Sequence, residues 1–199
     1  MPKIVDYEER KLHIANQAMQ VFSDKGYYNT SLEDISASCN MGRTTLYKYF
    51  RNKDEIYFYI LELGMTFYRI KYDETSKDTS LSYLDKITSQ LEFLIMSLNG
   101  QSVAQAFLDF WLMVRHNHSE IEDKMVKRYN EIIDGIAYWL EQGVDSGQLT
   151  PIDTNSTAVI ILGMVEAISL QELSKRSLNP KSAYDSVVKL INGLKVWVV

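Results

Sequence analysis

Between Cys39 and Lys53 the chain carries four cations, Arg43, Lys48, Arg51 and Lys53, and no acid. Thr44, Thr45, Tyr47 and Tyr49 are interleaved with them. On a helix running from about Gly42 to Tyr49, Leu46 and Phe50 share one narrow arc and should face a core. Thr44, Thr45, Tyr47, Lys48 and Tyr49 then fan across the opposite side, with Arg43 at its border and long enough to reach out. Hydroxyls and guanidinium groups read base edges, while Lys and Tyr hold phosphate oxygens, so this face has the chemistry of a DNA-groove binder. The competing reading is a solvated face. Two phenol rings are costly to expose with nothing bound to them. Lys53 falls in the first turn of the following helix, where a cation opposes the helix dipole. Beside amides that already attract anions, such a lysine makes a phosphate clamp.

The cluster is set in an acidic chain. The net charge over 199 residues is −5, which argues against a protein that coats nucleic acid with its whole surface. Eight Lys/Arg balance eight Asp/Glu in residues 1–55, so the acidity belongs to residues 56–199, with 13 against 18. A hydrophobic content of 46% supports a real core, and 3 prolines with 9 glycines leave little material for a turn-dense β fold. The N-terminus, MPKIVDYEERK, has no apolar stretch of a secretory signal. The most apolar run, Ala158 to Val165, ends at Glu166 and is far short of the ~20 residues that span a bilayer. A cytoplasmic protein with no membrane partner is expected, and its one cysteine, Cys39, reads as a small buried thiol.

The elements that must hold the cluster read as helices. Residues 6–25 pair Asp6 with Glu9 in capping-box spacing, carry an apolar stripe from Ile14 to Phe22, and stop at Gly26. TSLEDISAS opens with a Thr30–Glu33 capping box and should bury Leu32 and Ile35. CNM, residues 39–41, makes a three-residue turn in which Asn40 tolerates a left-handed conformation. Asn52 and Glu55 cap a helix running to about Tyr72, followed by the linker-like segment 73–80. Further helices are expected near 81–97, 101–115, 120–145, 154–174 and 180–196. Their punctuation comes from Asn99-Gly100, a Ser119–Glu122 box, a turn from Gly147 to Pro151 and Asn179-Pro180. The expected fold class is all-α, about nine helices, with an N-terminal three-helix helix-turn-helix domain (1–52) and a helical regulatory domain (53–199).

The stretch IANQAMQVFSDKGYYNTSLEDISASCNMGRTTLYKYFRNKDEIY resembles the DNA-binding domain of the TetR family of transcriptional regulators. Ala18, Val21, Phe22, Gly26, Thr30, Ser31, Ile35, Thr45, Leu46, Tyr47, Tyr49, Phe50, Asn52, Lys53 and Asp54 fall in register with the family pattern. Cys39, Asn40 and Met41 depart from its usual Ala, Gly and Val, and Gly42 replaces the usual N-cap Ser. Thr44 replaces a common Gly on the face toward DNA and can add a contact. The resemblance implies that Thr30, Tyr47, Tyr49 and Lys53 hold phosphates. It also implies that Arg43, Thr44, Thr45 and Lys48 approach base edges or the neighbouring backbone. A dimer would set two recognition helices about 34–36 Å apart, or a multiple of that, on a pseudo-palindromic double-stranded DNA operator.

The resemblance weakens after about residue 60 and leaves architecture. It implies a homodimer through the helices 154–174 and 180–196, and STAVIILGMVEAISL is apolar nearly all round. It also implies a cavity for a small apolar or aromatic effector, with Tyr68, Met96, Phe107, Trp111, Tyr138 and Met164 as candidate lining. Glu166, inside the apolar helix, needs a partner: Arg115, a dimer mate, an effector or solvent. His116 and His118 are poorly spaced for a metal, and no nucleophile elbow, phosphate loop or acid–base pair is present. No catalytic residue, metal or cofactor is therefore expected. The sequence reads as a ligand-responsive repressor in preference to an all-α enzyme or a general DNA-binding protein.

Overall fold

The computed structural model describes residues 7–97, 109, 120–171 and 178–196. Eight helices occur among them: α1 (Tyr7–Lys25), α2 (Leu32–Ser38), α3 (Arg43–Leu46), α4 (Lys53–Lys77), α5 (Tyr83–Ser97), α6 (Glu120–Asp145), α7 (Thr154–Gln171) and α8 (Pro180–Asn192). The β structure among the described residues is one isolated bridge, Leu149 to Lys195. The helix expected over 101–115 lies outside the described residues apart from Asp109, which is helical. Asp6, Asn99-Gly100, His116, His118 and Ser119 also lie outside them.

Local signals explain most of the boundaries. Gly26 takes φ 75° after α1, Asn40 takes φ 51° between α2 and α3, and Gly147 takes φ 72° after α6. Asn179 caps α8 through the Ser182 N–H, with Pro180 in the first turn. The Asn52 side chain accepts from the Glu55 N–H at 2.8 Å and opens α4.

Two expectations are corrected. The capping box of α2 is Ser31 with Asp34, not Thr30 with Glu33. The Thr30 hydroxyl instead donates to the Gly26 carbonyl at 2.8 Å, which leaves Ser31 to accept from the Asp34 N–H. Helix α4 also continues through Asp73–Lys77, residues expected to be linker. Buried Thr75 holds that last stretch to the protein, and buried Lys86 donates to the Ser76 carbonyl at 2.8 Å.

By its contacts the chain forms two compact units: the described residues of Met1–Met65 with Gln101–Met125, and those of Thr66–Gly100 with Val126–Val199. In the first, α2 packs against α1 and α3. Ile14, Ala18, Phe22, Ile35, Leu46, Phe50 and Ile56 are buried between them. In the second, α5, α7 and α8 pack on one another, over a core that includes Ile87, Leu91, Ile136, Leu140, Ile161, Val165 and Ile191.

Candidate nucleic-acid interface

Leu46 and Phe50 anchor the recognition segment from below, at 0% and 3% exposure. Burying a side chain such as Leu46 is worth about 1.5–3 kcal/mol, enough to hold a one-turn helix that could not stand alone. Arg43, Thr44, Thr45, Tyr47 and Lys48 are all exposed on the opposite face. Gly42 caps α3 without a side-chain hydrogen bond.

Arg43 is already oriented. Its Nη1 pairs with Glu33 of α2. Its Nε and Nη2 donate to the Tyr47 hydroxyl at 3.3 and 3.1 Å. The Tyr47 hydrogen bond and the Glu33 charge push its pKa further up, so it stays cationic. Tyr49 is half-buried, not fanned outward as expected. Its ring stacks on Tyr7 of α1 with centroids 5.0 Å apart, and the Tyr7 hydroxyl donates to the Lys48 carbonyl at 3.2 Å. These contacts fix the C-terminal end of the recognition segment to α1.

Thr30 and Lys53 are turned inward. Thr30 is 3% exposed, and its hydroxyl is engaged by Gly26. Lys53 Nζ donates to the carbonyls of Tyr27 at 2.8 Å, Tyr28 at 3.3 Å and Thr30 at 3.0 Å. It also lies 4.4 Å from the centroid of the Tyr27 ring. Desolvation lowers the Lys53 pKa, opposed by Asp54 and Asp109. In this conformation its ammonium ties down the α1–α2 loop.

Tyr27 is the node of that loop. Its carbonyl meets Lys53, its hydroxyl bonds Asp54, and its N–H donates to Asp109 Oδ2 at 2.8 Å. Asp109 is 3% exposed. Sequence reasoning missed this anchor, because 82 positions separate the partners and no local pattern links them.

Of the effector candidates, Tyr68 is buried and lines a cleft of about 310 Å³ between α4 and α6. Met96 and Tyr138 are exposed elsewhere, and Met164 is half-buried in α7. Phe107 and Trp111 lie outside the described residues. Glu166 finds a partner that the sequence reading did not consider: the Tyr129 hydroxyl donates to its Oε1 at 2.7 Å. Among the described residues no group of three or more His, Cys, Asp or Glu is placed to hold a metal ion. None of the described helices is long and apolar enough to cross a membrane.

A short helix held by two buried side chains, with its basic and hydroxylic face exposed, defines the helix-turn-helix class of DNA-binding proteins. Residues 14–60 match the family model for bacterial regulatory proteins of the tetR family. The chain is 26% identical over 167 residues to the HTH-type transcriptional regulator YfiR of Bacillus subtilis, covering 81% of this chain and 78% of the relative. Two solved structures share the fold. The transcriptional regulator FadR of Bacillus subtilis, in complex with stearoyl-CoA, aligns at TM-score 0.76 and 17% identity over 90% of this chain and 96% of its own. AibR, in complex with isovaleryl coenzyme A and operator DNA, aligns at TM-score 0.75 and 21% identity over 92% and 97%.

Proposed function

We propose that this protein is a ligand-responsive repressor that binds a pseudo-palindromic DNA operator as a homodimer and leaves it when a small apolar or aromatic effector binds. Residues 1–52 contact DNA in this reading, and residues 53–199 carry the effector site and the dimer contact. The observation that carries it is the exposed α3 face, where Arg43, Thr44, Thr45, Tyr47 and Lys48 stand together over buried Leu46 and Phe50. Arg43 and Thr44 approach base edges, and Tyr47 and Lys48 hold the backbone.

Exposed apolar side chains on two helices support the dimer. Val159, Ile160 and Leu190 are exposed on α7 and α8 at 44%, 61% and 66%, although α7 has the composition of a helix buried on every side. Ligand response is supported by the acyl-CoA complexes of FadR and AibR. The effector can shift operator occupancy only by its differential affinity for the two states.

Selection of genomic fragments by the purified protein at physiological salt, followed by footprinting, tests the reading. Protection of one or a few palindromes is expected. Uniform protection of all fragments, or recovery of no specific fragment, overturns it.

A further inference from the structure

The start of α1 lies outside the recognition segment, yet two of its side chains grip that segment's end. The Tyr7 ring stacks on Tyr49 with planes at 30°, and the Tyr7 hydroxyl donates to the Lys48 carbonyl. One turn further along α1, the Lys11 ammonium lies 5.2, 5.6 and 5.4 Å from the ring centroids of Tyr7, Phe50 and Tyr59. Each distance falls within the ~6 Å over which a ring face attracts a cation. Phe50 and Tyr59 meet edge to face, with centroids 5.5 Å apart. Three rings from three parts of the chain thus converge on one cation.

The recognition segment needs such a hold. Helix α3 is four residues long, too short to keep its own backbone ordered. The bonds that close its end run from the Lys48 N–H to Thr45 and from the Tyr49 and Phe50 N–H groups to Leu46. The Lys48 carbonyl lies past them, where a helix end lacks intrahelical partners, and the Tyr7 hydroxyl supplies one. The Lys48 side chain is exposed, so its direction is set by the backbone beneath it. That backbone is held at residue 48 by a hydrogen bond and at residue 49 by a ring stack, both from Tyr7.

We infer that Tyr7 and Lys11 are positioning residues for operator binding. Tyr7 fixes the backbone under Lys48 and Tyr49, and Lys11 pins the Tyr7 ring beside Phe50 and Tyr59. Lys48 then meets a phosphate without first ordering its backbone, an ordering that otherwise opposes binding. Lys11 acts through the rings and adds no phosphate contact of its own. The inference rests on the DNA-binding reading above and extends it to a part of the chain that touches no base.

Anisotropy titrations of the full chain, at several salt concentrations, against a palindromic duplex recovered by the fragment selection test it. Tyr7→Ala is expected to weaken binding about five- to thirtyfold per half-site, the cost of ordering one residue, at unchanged salt slope. Tyr7→Phe, which keeps the stack and loses the hydroxyl, should fall between that variant and the parent. Lys11→Met should also weaken binding at unchanged slope, and Lys11→Arg should restore it, since a guanidinium serves the rings as well. In a Lys48→Ala background the Tyr7→Ala loss should shrink, because the two residues act as a pair. A merely structural tyrosine loses the same factor in both backgrounds. Without DNA, amide hydrogen exchange at residues 48–50 should quicken in Tyr7→Ala while that of α5 stays as in the parent. Equal losses in both backgrounds, a slope lower by about one contact per half-site in Lys11→Met, or unchanged exchange overturns the inference. If the parent binds no specific duplex, the DNA-binding reading falls and this inference with it. Specific binding by the parent with variants that match it rejects the positioning role alone.

Discussion

Two lysines of the basic cluster have opposite fates, and this separates their roles. Lys48 is exposed beside the recognition face, whereas the Lys53 ammonium is tied to three carbonyls of residues 27–30. Lys48→Ala is expected to reduce the salt dependence of operator binding by about one phosphate contact per half-site. Lys53→Met should lower the thermal midpoint and leave that slope unchanged; anisotropy titrations at several salt concentrations read both variants. Arg43→Ala should change which bases are preferred, at about 1–3 kcal/mol for a lost bidentate contact, in a selection on randomised half-sites. The Glu33 pair is exposed on both sides. It holds the guanidinium weakly, and DNA can displace it. Which residues are exposed was legible from helical spacing except at Tyr49, whose ring Tyr7 of α1 covers, since Leu46 and Phe50 fall on one arc. Which hydroxyls and cations are already engaged was not, because Gly26 and Tyr27 reach Thr30 and Lys53 through the loop's own fold.

At the scale of elements, one buried and one half-buried carboxylate, Asp109 and Glu166, hold helices in place. Asp109 fixes the start of the α1–α2 loop through the Tyr27 N–H. Asp109→Ala leaves that amide without its acceptor, and a loss of about 1–3 kcal/mol is expected in chemical denaturation. Glu166 ties α7 to α6 through Tyr129. Burial raises its pKa, opposed by the Tyr129 hydrogen bond. An acid with a raised folded-state pKa binds its proton more readily folded than unfolded. Its contribution to stability is therefore present at low pH and is lost as pH climbs through the window above the ordinary glutamate value. Glu166→Gln should flatten that part of the stability–pH curve, measured as denaturation midpoints across mildly acidic pH. An unchanged slope would assign the pH dependence to other groups.

For the whole molecule, association decides function, because one small helix-turn-helix makes few contacts and a palindrome doubles them. The dimer proposal rests on the exposed apolar side chains Val159 and Ile160 of α7 and Leu190 of α8. Ile160→Glu with Leu190→Glu should yield monomers in sedimentation velocity, since two charges would be buried unpaired at the contact. Operator affinity should fall steeply while helical content is kept. A dimer that survives both substitutions would place the interface elsewhere.

Periodicity, caps and turn residues in the sequence determined the all-α class, the order of the helices, the left-handed turn at Asn40 and the exposed face of α3. These depend on neighbours three or four positions apart, so local order encodes them. The Asp109–Tyr27 anchor, the Tyr129–Glu166 pair and the Tyr7–Tyr49 stack were decided only by tertiary structure. Each depends on side chains brought together by packing of helices far apart in the chain, and one-dimensional spacing carries no record of that approach.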